Sequence, residues 1–329
     1  MRMLVMGAGS MGSVLGGFMA NAGHDVTLVG RDPHMRAIRE QGLLITGIWG
    51  EHHVTNLTVR TDVKGLQPGA RKPCARVGAF DLILITVKSY DTSAAAAEIE
   101  RLVTPDTLVC SYQNGLGNAE AVANVAGWER TIGARVIFGT VIPEPGRAEV
   151  TVIANPSAVG PYYGKRGAEA LTERVRGIVA AMDDAGIPTV FTDRIATVLW
   201  GKVAYNCALN PLSALLDVPY GVLAETEYTR AIIGEVIAEL YAVAAALAVP
   251  LEPDTAAAYE DLFFTRLVPP TAAHYASMRE DFRQRRRTEI DALNGAICRY
   301  GRERGVPCPT NTVLTRLVLA RERALGIRY

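Results

Sequence analysis

Four apolar residues, Met3-Leu4-Val5-Met6, run into a glycine-rich turn, and a second apolar run, His24-Asp25-Val26-Thr27-Leu28-Val29, returns after a segment of helical periodicity. Short apolar runs bounded by turn residues predict buried strands, and their alternation with helical segments predicts a largely parallel sheet covered by helices. The same alternation continues through Asp81 to Val87, Thr107 to Tyr112 and Thr131 to Ile137. After Gly146 come two more short strand patterns, Ala148 to Ile153 and Ser157 to Gly160. A helix from Glu169 to Ala185 follows, then a last strand, Pro188 to Phe191.

From about Asp193 strand signals cease and long Ala-, Leu-, Glu- and Arg-rich helical patterns take over, as in Ala231 to Ala248 and Glu289 to Arg304. Two domains are expected, residues 1–191 and 192–329. The segment Gln67 to Gly78, rich in proline, glycine and arginine, reads as a loop inserted before the third main strand.

The first turn spells Gly7-Ala8-Gly9-Ser10-Met11-Gly12, a G-x-G-x-x-G placed between strand and helix. In that context Gly7 permits the tight turn, Gly9 lets the backbone approach a pyrophosphate, and Gly12 lets the helix pack on its strand. Helix N–H groups then face the phosphates. The expected fold class is α/β: an N-terminal Rossmann-like dinucleotide-binding domain followed by an all-α C-terminal domain, with substrate in the cleft between them. At the end of the second strand stands Gly30-Arg31-Asp32. Arg31 is suited to the 2′-phosphate of NADP, whereas the neighbouring Asp32 leaves NAD open.

Composition narrows the partners. Lys plus Arg and Asp plus Glu are 34 each, so no net field favours nucleic acid, and no apolar run is long enough to span a bilayer. Arg2 before an apolar run resembles a secretory leader, but glycines at 7, 9, 12, 16 and 17 interrupt it. Five cysteines without C-x-x-C spacing suit a reducing, cytoplasmic setting. No metal is expected: H-E-x-x-H is absent, and adjacent His52 and His53 on a strand point to opposite faces. A small molecule is the expected partner. The apolar helices of the second domain could pack within one chain or across a homodimer.

In the second domain Lys202, Asn206 and Asn210 recur at i, i+4 and i+8, a polar stripe on one face of an otherwise apolar helix. A buried lysine with a lowered pKa donates a proton, and two amides beside it hold oxygens without adding charge. The alternative is the solvent-facing stripe of an amphipathic helix. Thr288 and Asp291 suggest a capping pair for the next helix, with Glu289 in its first turn. Glu289 is there either for chemistry or for the helix dipole. Lys88 and Asn114 follow the third and fourth main strands, at carboxyl ends where an open parallel sheet binds its ligands, unless they are ordinary loop residues.

Taken together, GAGSMG with AGHDVTLVGR, the segments VKSYDT and QNGLGN, WGKVAYNCALNPLSAL, and SMREDFRQRRRTEIDALNG resemble the ketopantoate reductase family (2-dehydropantoate 2-reductases) over nearly the full length. The resemblance implies reduction of a branched 2-oxo acid by NADP(H) in pantothenate biosynthesis. It makes Lys202 the proton donor and has Glu289 orient the reacting groups. Ser277, Asn206 and Asn210 hold the substrate, Asn114 serves substrate and nicotinamide, and Lys88 and Glu289 join the glycine turn and Arg31 at the cofactor. Two departures stand out. Tyr220 occupies a place where some members carry a substrate-contacting asparagine, and Arg285-Arg286-Arg287 replaces a glycine-containing turn. Both bear on which 2-oxo acid is used, so a different 2-oxo acid is the first alternative and a non-catalytic NADP sensor the second.

Overall fold

A computed structural model describes residues 1–67, 80–153, 155–162 and 168–328. The expected inserted loop, apart from Gln67, and Cys74 within it lie outside the described residues. The chain forms two compact units: Met1–Gln113 with Asn118–Ile195, and Asn114–Gly117 with Ala196–Tyr329. Four residues from the middle of the first half thus pack with the second.

In the first unit the strands are β1 (Arg2–Met6), β2 (Asp25–Val29), β3 (Leu43–Gly47), β4 (His52–Val54), β5 (Leu57–Arg60) and β6 (Leu82–Ile85). They continue as β7 (Leu108–Ser111), β8 (Thr131–Arg135), β9 (Phe138–Val141), β10 (Arg147–Ile153), β11 (Ser157–Pro161) and β12 (Thr189–Phe191). An eight-stranded sheet runs β12-β11-β8-β7-β6-β1-β2-β5, parallel except between β8 and β11. The helices of this unit are α1 (Ser10–Asn21), α2 (His34–Gln41), α3 (Thr92–Ile99), α4 (Asn118–Ala126) and α5 (Ala168–Asp184).

Alternate residues of the central strands enter different cores. Met3, Val5, Leu82 and Leu84 join one apolar cluster, while Leu4, Met6, Ile83 and Ile85 join another on the opposite face. Burial on both faces is why these strands read as unbroken apolar runs instead of alternating ones. A second, four-stranded sheet, β4-β3-β10-β9, pairs β3 with β10 in parallel.

The second unit is helical: α6 (Ile195–Leu216), α7 (Tyr220–Glu225), α8 (Glu227–Ala246), α9 (Ala256–Leu262), α10 (Ser277–Arg283), α11 (Asn294–Arg304) and α12 (Pro309–Ala324). Its core gathers Ala204, Cys207, Leu209, Ile237, Leu240 and Phe263, among others. Pro211 lies inside α6; lacking an N–H, it leaves the Cys207 carbonyl four residues back without its helical donor. Asn294 Nδ2 supplies one at 3.1 Å and also donates to Asn311 Oδ1 at 2.9 Å. The proline is therefore tolerated because α11 offers a side-chain amide where the helix lacks a backbone one.

Candidate active site

In the first unit, Gly7 has φ +108°, a conformation L side chains rarely adopt, and a Cβ there would stand 2.5 Å from Val87 N. A Cβ on Gly12 would stand 2.5 Å from Gly7 O, so any side chain would push α1 off the turn. The Gly7 and Ala8 N–H groups both donate to Val29 O, at 2.9 and 2.8 Å. These two residues shape the turn and do not aim their N–H groups outward. The first bond of α1 runs from Ser13 N to Gly9 O at 2.9 Å, so helical geometry leaves the N–H groups of Ser10, Met11 and Gly12 without a partner in the helix backbone. Over exposed Gly9 the nearest atom to a Cβ would be 3.9 Å away. Open space in front of a helix N-terminus fits a pyrophosphate.

Arg31 follows β2 with its side chain 89% exposed, its guanidinium 3.0 Å from the Asp91 carboxylate. Lys88, half-buried, follows β6 and caps the short turn Ser89–Asp91 that carries Asp91. The residues of this unit fit a nicotinamide dinucleotide with a phosphate near Arg31.

In the second unit Lys202, Asn206 and Asn210 lie along α6, as expected. Lys202 is half-buried, not buried. Its Nζ donates to Asn114 Oδ1 at 2.6 Å. Asn114 belongs to the loop Asn114–Gly117, held where Leu116 N donates to Ala292 O at 2.8 Å. There a Cβ on Gly115 would meet Ala292 O at 2.5 Å, so the two backbones abut. Asn206 is half-buried, with an amide available to a ligand. Asn210, 6% exposed, accepts a hydrogen bond from the Tyr220 hydroxyl at 2.8 Å. Tyr220 is itself buried, and that burial pushes its phenol well above the ordinary value, so the hydroxyl stays a donor. With its oxygen taken, Asn210 has the two N–H donors of Nδ2 for a ligand.

Ser277, exposed, opens α10, beside Ala276, whose N–H donates to Ser213 Oγ of α6 at 3.2 Å. Glu289 differs from expectation. It precedes a single 3-10 turn, Ile290–Ala292, and α11 begins only at Asn294. Thr288 and Asp291 do not form the expected capping pair: Thr288 Oγ1 accepts from Ile290 N at 3.4 Å, while Asp291 is taken by Arg287 at 3.0 Å. The reason is that the chain turns at Leu293 (ψ −110°) before helical geometry is established.

Family models decide the relationship. The chain matches "Ketopantoate reductase PanE/ApbA" over residues 3–162 and its C-terminal counterpart over 194–322. The chain belongs to the ketopantoate reductase family. Within that family, the 2-dehydropantoate 2-reductase of Aquifex aeolicus is 36% identical over 323 residues, 98% of this chain and 97% of that protein. The PanE/ApbA family ketopantoate reductase of Ralstonia eutropha JMP134 superposes with TM-score 0.84 at 31% identity, covering 99% and 100% of the two chains. D-mandelate dehydrogenase, solved with NADH and anilino(oxo)acetate, superposes with TM-score 0.82 at 26% identity over 100% of both chains.

The Tyr220–Asn210 and Asn294–Cys207 contacts were not foreseen. Pro211 within an apolar helical pattern was a usable signal for the second, because it demands a donor for Cys207 from elsewhere. Among the described residues no helix is long and apolar enough to cross a membrane, and no group of three His, Cys, Asp or Glu side chains could hold a metal.

Proposed function

We propose that the chain reduces 2-dehydropantoate (ketopantoate) to pantoate with NADPH, a step of pantothenate biosynthesis. The observation that carries this reading is Lys202 Nζ held 2.6 Å from Asn114 Oδ1, beside amides spaced along one helix, in a chain of this family. The first unit holds the cofactor through Gly9 to Gly12, Arg31 and Lys88; NADPH supplies the hydride to the carbonyl carbon. Asn206, Asn210 and Ser277 donate hydrogen bonds to the carboxylate and carbonyl oxygens of the 2-oxo acid. As charge develops on the carbonyl oxygen, the Lys202 ammonium meets it and surrenders a proton to it. Asn114 fixes the ammonium by accepting one of its three hydrogens, and Glu289 orients the reacting groups.

The test is loss of NADPH absorbance with ketopantoate and with a panel of other 2-oxo acids. Tyr220 supports a second reading, a 2-oxo acid other than ketopantoate, since it is buried and its hydroxyl donates to Asn210, one of the amides assigned to the substrate. A cytoplasmic location accords with the described cysteines, Cys110, Cys207, Cys298 and Cys308, all being free thiols. A homodimer is the accompanying reading for the exposed apolar residues of α12, Val313 and Leu317, at 53% and 49%; light scattering on the purified chain tests it.

A further inference from the structure

Glu322 sits on α12 with 0% of its surface exposed. A carboxylate in that position is costly unless hydrogen-bonded, and an apolar side chain would pack there without the cost. Its Oε1 accepts from the backbone N–H of Thr288 at 2.7 Å. Thr288 lies in a stretch, Arg286 to Thr288, that belongs to no helix or strand, so its backbone is held from outside any regular ladder. One end is tied to Asp281, 2% exposed: its backbone O accepts from Arg286 N at 2.7 Å, and its Oδ1 accepts from Arg286 Nε and a terminal nitrogen at 3.1 and 3.0 Å. The other end is tied by Glu322.

Directly after Thr288 comes Glu289. Three residues further, Ala292 O accepts from Leu116 N at 2.8 Å, in the loop whose Asn114 accepts from Lys202 at 2.6 Å. One buried carboxylate thus anchors the backbone from which Glu289 projects, and that backbone in turn supports the loop that fixes the Lys202 ammonium. We infer that Glu322 is a positioning residue for the reaction, acting through Glu289 and the Asn114 loop without touching substrate or cofactor. The inference rests on the proposed reductase activity.

A double-mutant cycle on the full chain tests it, with the 2-oxo acid that the parent reduces best. Glu322→Leu keeps an apolar fit but removes the acceptor. It is expected to lower kcat/KM by roughly 10- to 100-fold in the parent yet less than about threefold in a Glu289→Gln background, because residues acting as one unit lose their effect once. Amide exchange of residues 286–293 should quicken in Glu322→Leu. Equal fold losses in the two backgrounds would overturn the inference, as would unchanged exchange of residues 286–293. Should Glu322→Leu not fold, Glu322→Asp, which withdraws the carboxylate by one methylene, is read in both backgrounds in the same way. A parent that reduces no 2-oxo acid sinks the proposed function and this role with it. A parent that does, with additive losses, sinks the role of Glu322 alone.

Discussion

Lys202 Nζ and Asn114 Oδ1 are 2.6 Å apart although 88 residues separate them in sequence. The contact joins the middle of α6 to a four-residue loop that leaves β7 and packs with the helical unit. An ammonium on a flexible stem is otherwise free to sample several rotamers; an oxygen acceptor fixed by the loop restricts it to one direction.

If Lys202 gives the proton, Lys202→Ala should lower kcat by about 10²- to 10⁴-fold, the usual loss for a positioned acid. NADPH binding, followed by fluorescence, should be nearly unchanged. Turnover within a few-fold of the parent in a folded variant would mean that the proton comes from water or another side chain.

Local pattern made the Rossmann-like half legible where strands are buried on both faces. Met3 to Met6 and Leu82 to Ile85 are apolar at every position because neighbouring side chains enter two different cores. The four-stranded sheet was not legible as a sheet. Its parallel pair sets Leu44 against Arg147 and Ile45 against Ala148, and pairing at that separation leaves no trace in either strand's own periodicity. In the candidate site the polar stripe of α6 followed from spacing alone. The partners of that stripe did not, because Asn114 and Tyr220 reach it from other elements, and only packing brings them there.

Arg31 is the residue we propose to read a cofactor 2′-phosphate. With its side chain 89% exposed, it is open to a 2′-phosphate, in competition with the Asp91 carboxylate it faces. Replacing Arg31 by Ala should weaken NADPH binding by about 1.5–3 kcal/mol, the range for a charge-assisted contact, with NADH scarcely affected. Asp91→Asn, which removes the competing charge, should shift NADPH affinity the opposite way. Equal losses for NADPH and NADH in Arg31→Ala would show that the guanidinium does not read the phosphate.

Tyr220→Phe separates the hydroxyl from the ring. The ring packing against Tyr205, at 6.0 Å between centroids, is kept, but Asn210 Oδ1 loses its donor in a buried setting. Leaving that acceptor unpaired should cost about 1–3 kcal/mol of stability by denaturant melts. The freed Asn210 amide should rotate, raising KM for the 2-oxo acid and altering the ranking across the panel. An unchanged ranking together with unchanged stability would mean that the Tyr220 hydroxyl does not orient Asn210.

His34 makes the tie between α1 and Gly146 sensitive to pH. Its Nδ1 accepts from Gly146 N at 3.0 Å, so the ring hydrogen is on Nε2, which lies 3.0 Å from the hydroxyl of Ser13 in α1. Burial lowers its pKa from the ordinary 6.5, because the charged ring would lose solvent, and a proton on Nδ1 would expel the Gly146 donor. The unfolded chain therefore takes up this proton at a higher pH than the folded chain does. His34 contributes its full stability above about pH 6.5, and that contribution is lost as the pH falls from there through the lower folded value. Thermal melts of the parent should decline between about pH 7 and 5. His34→Gln cannot titrate; it should begin less stable at pH 7 but decline less over the same range, the difference between the two slopes belonging to His34. Parallel slopes would show that the ring takes up its proton equally in the folded and unfolded chain, and that Ser13 and Gly146 do not select the neutral form.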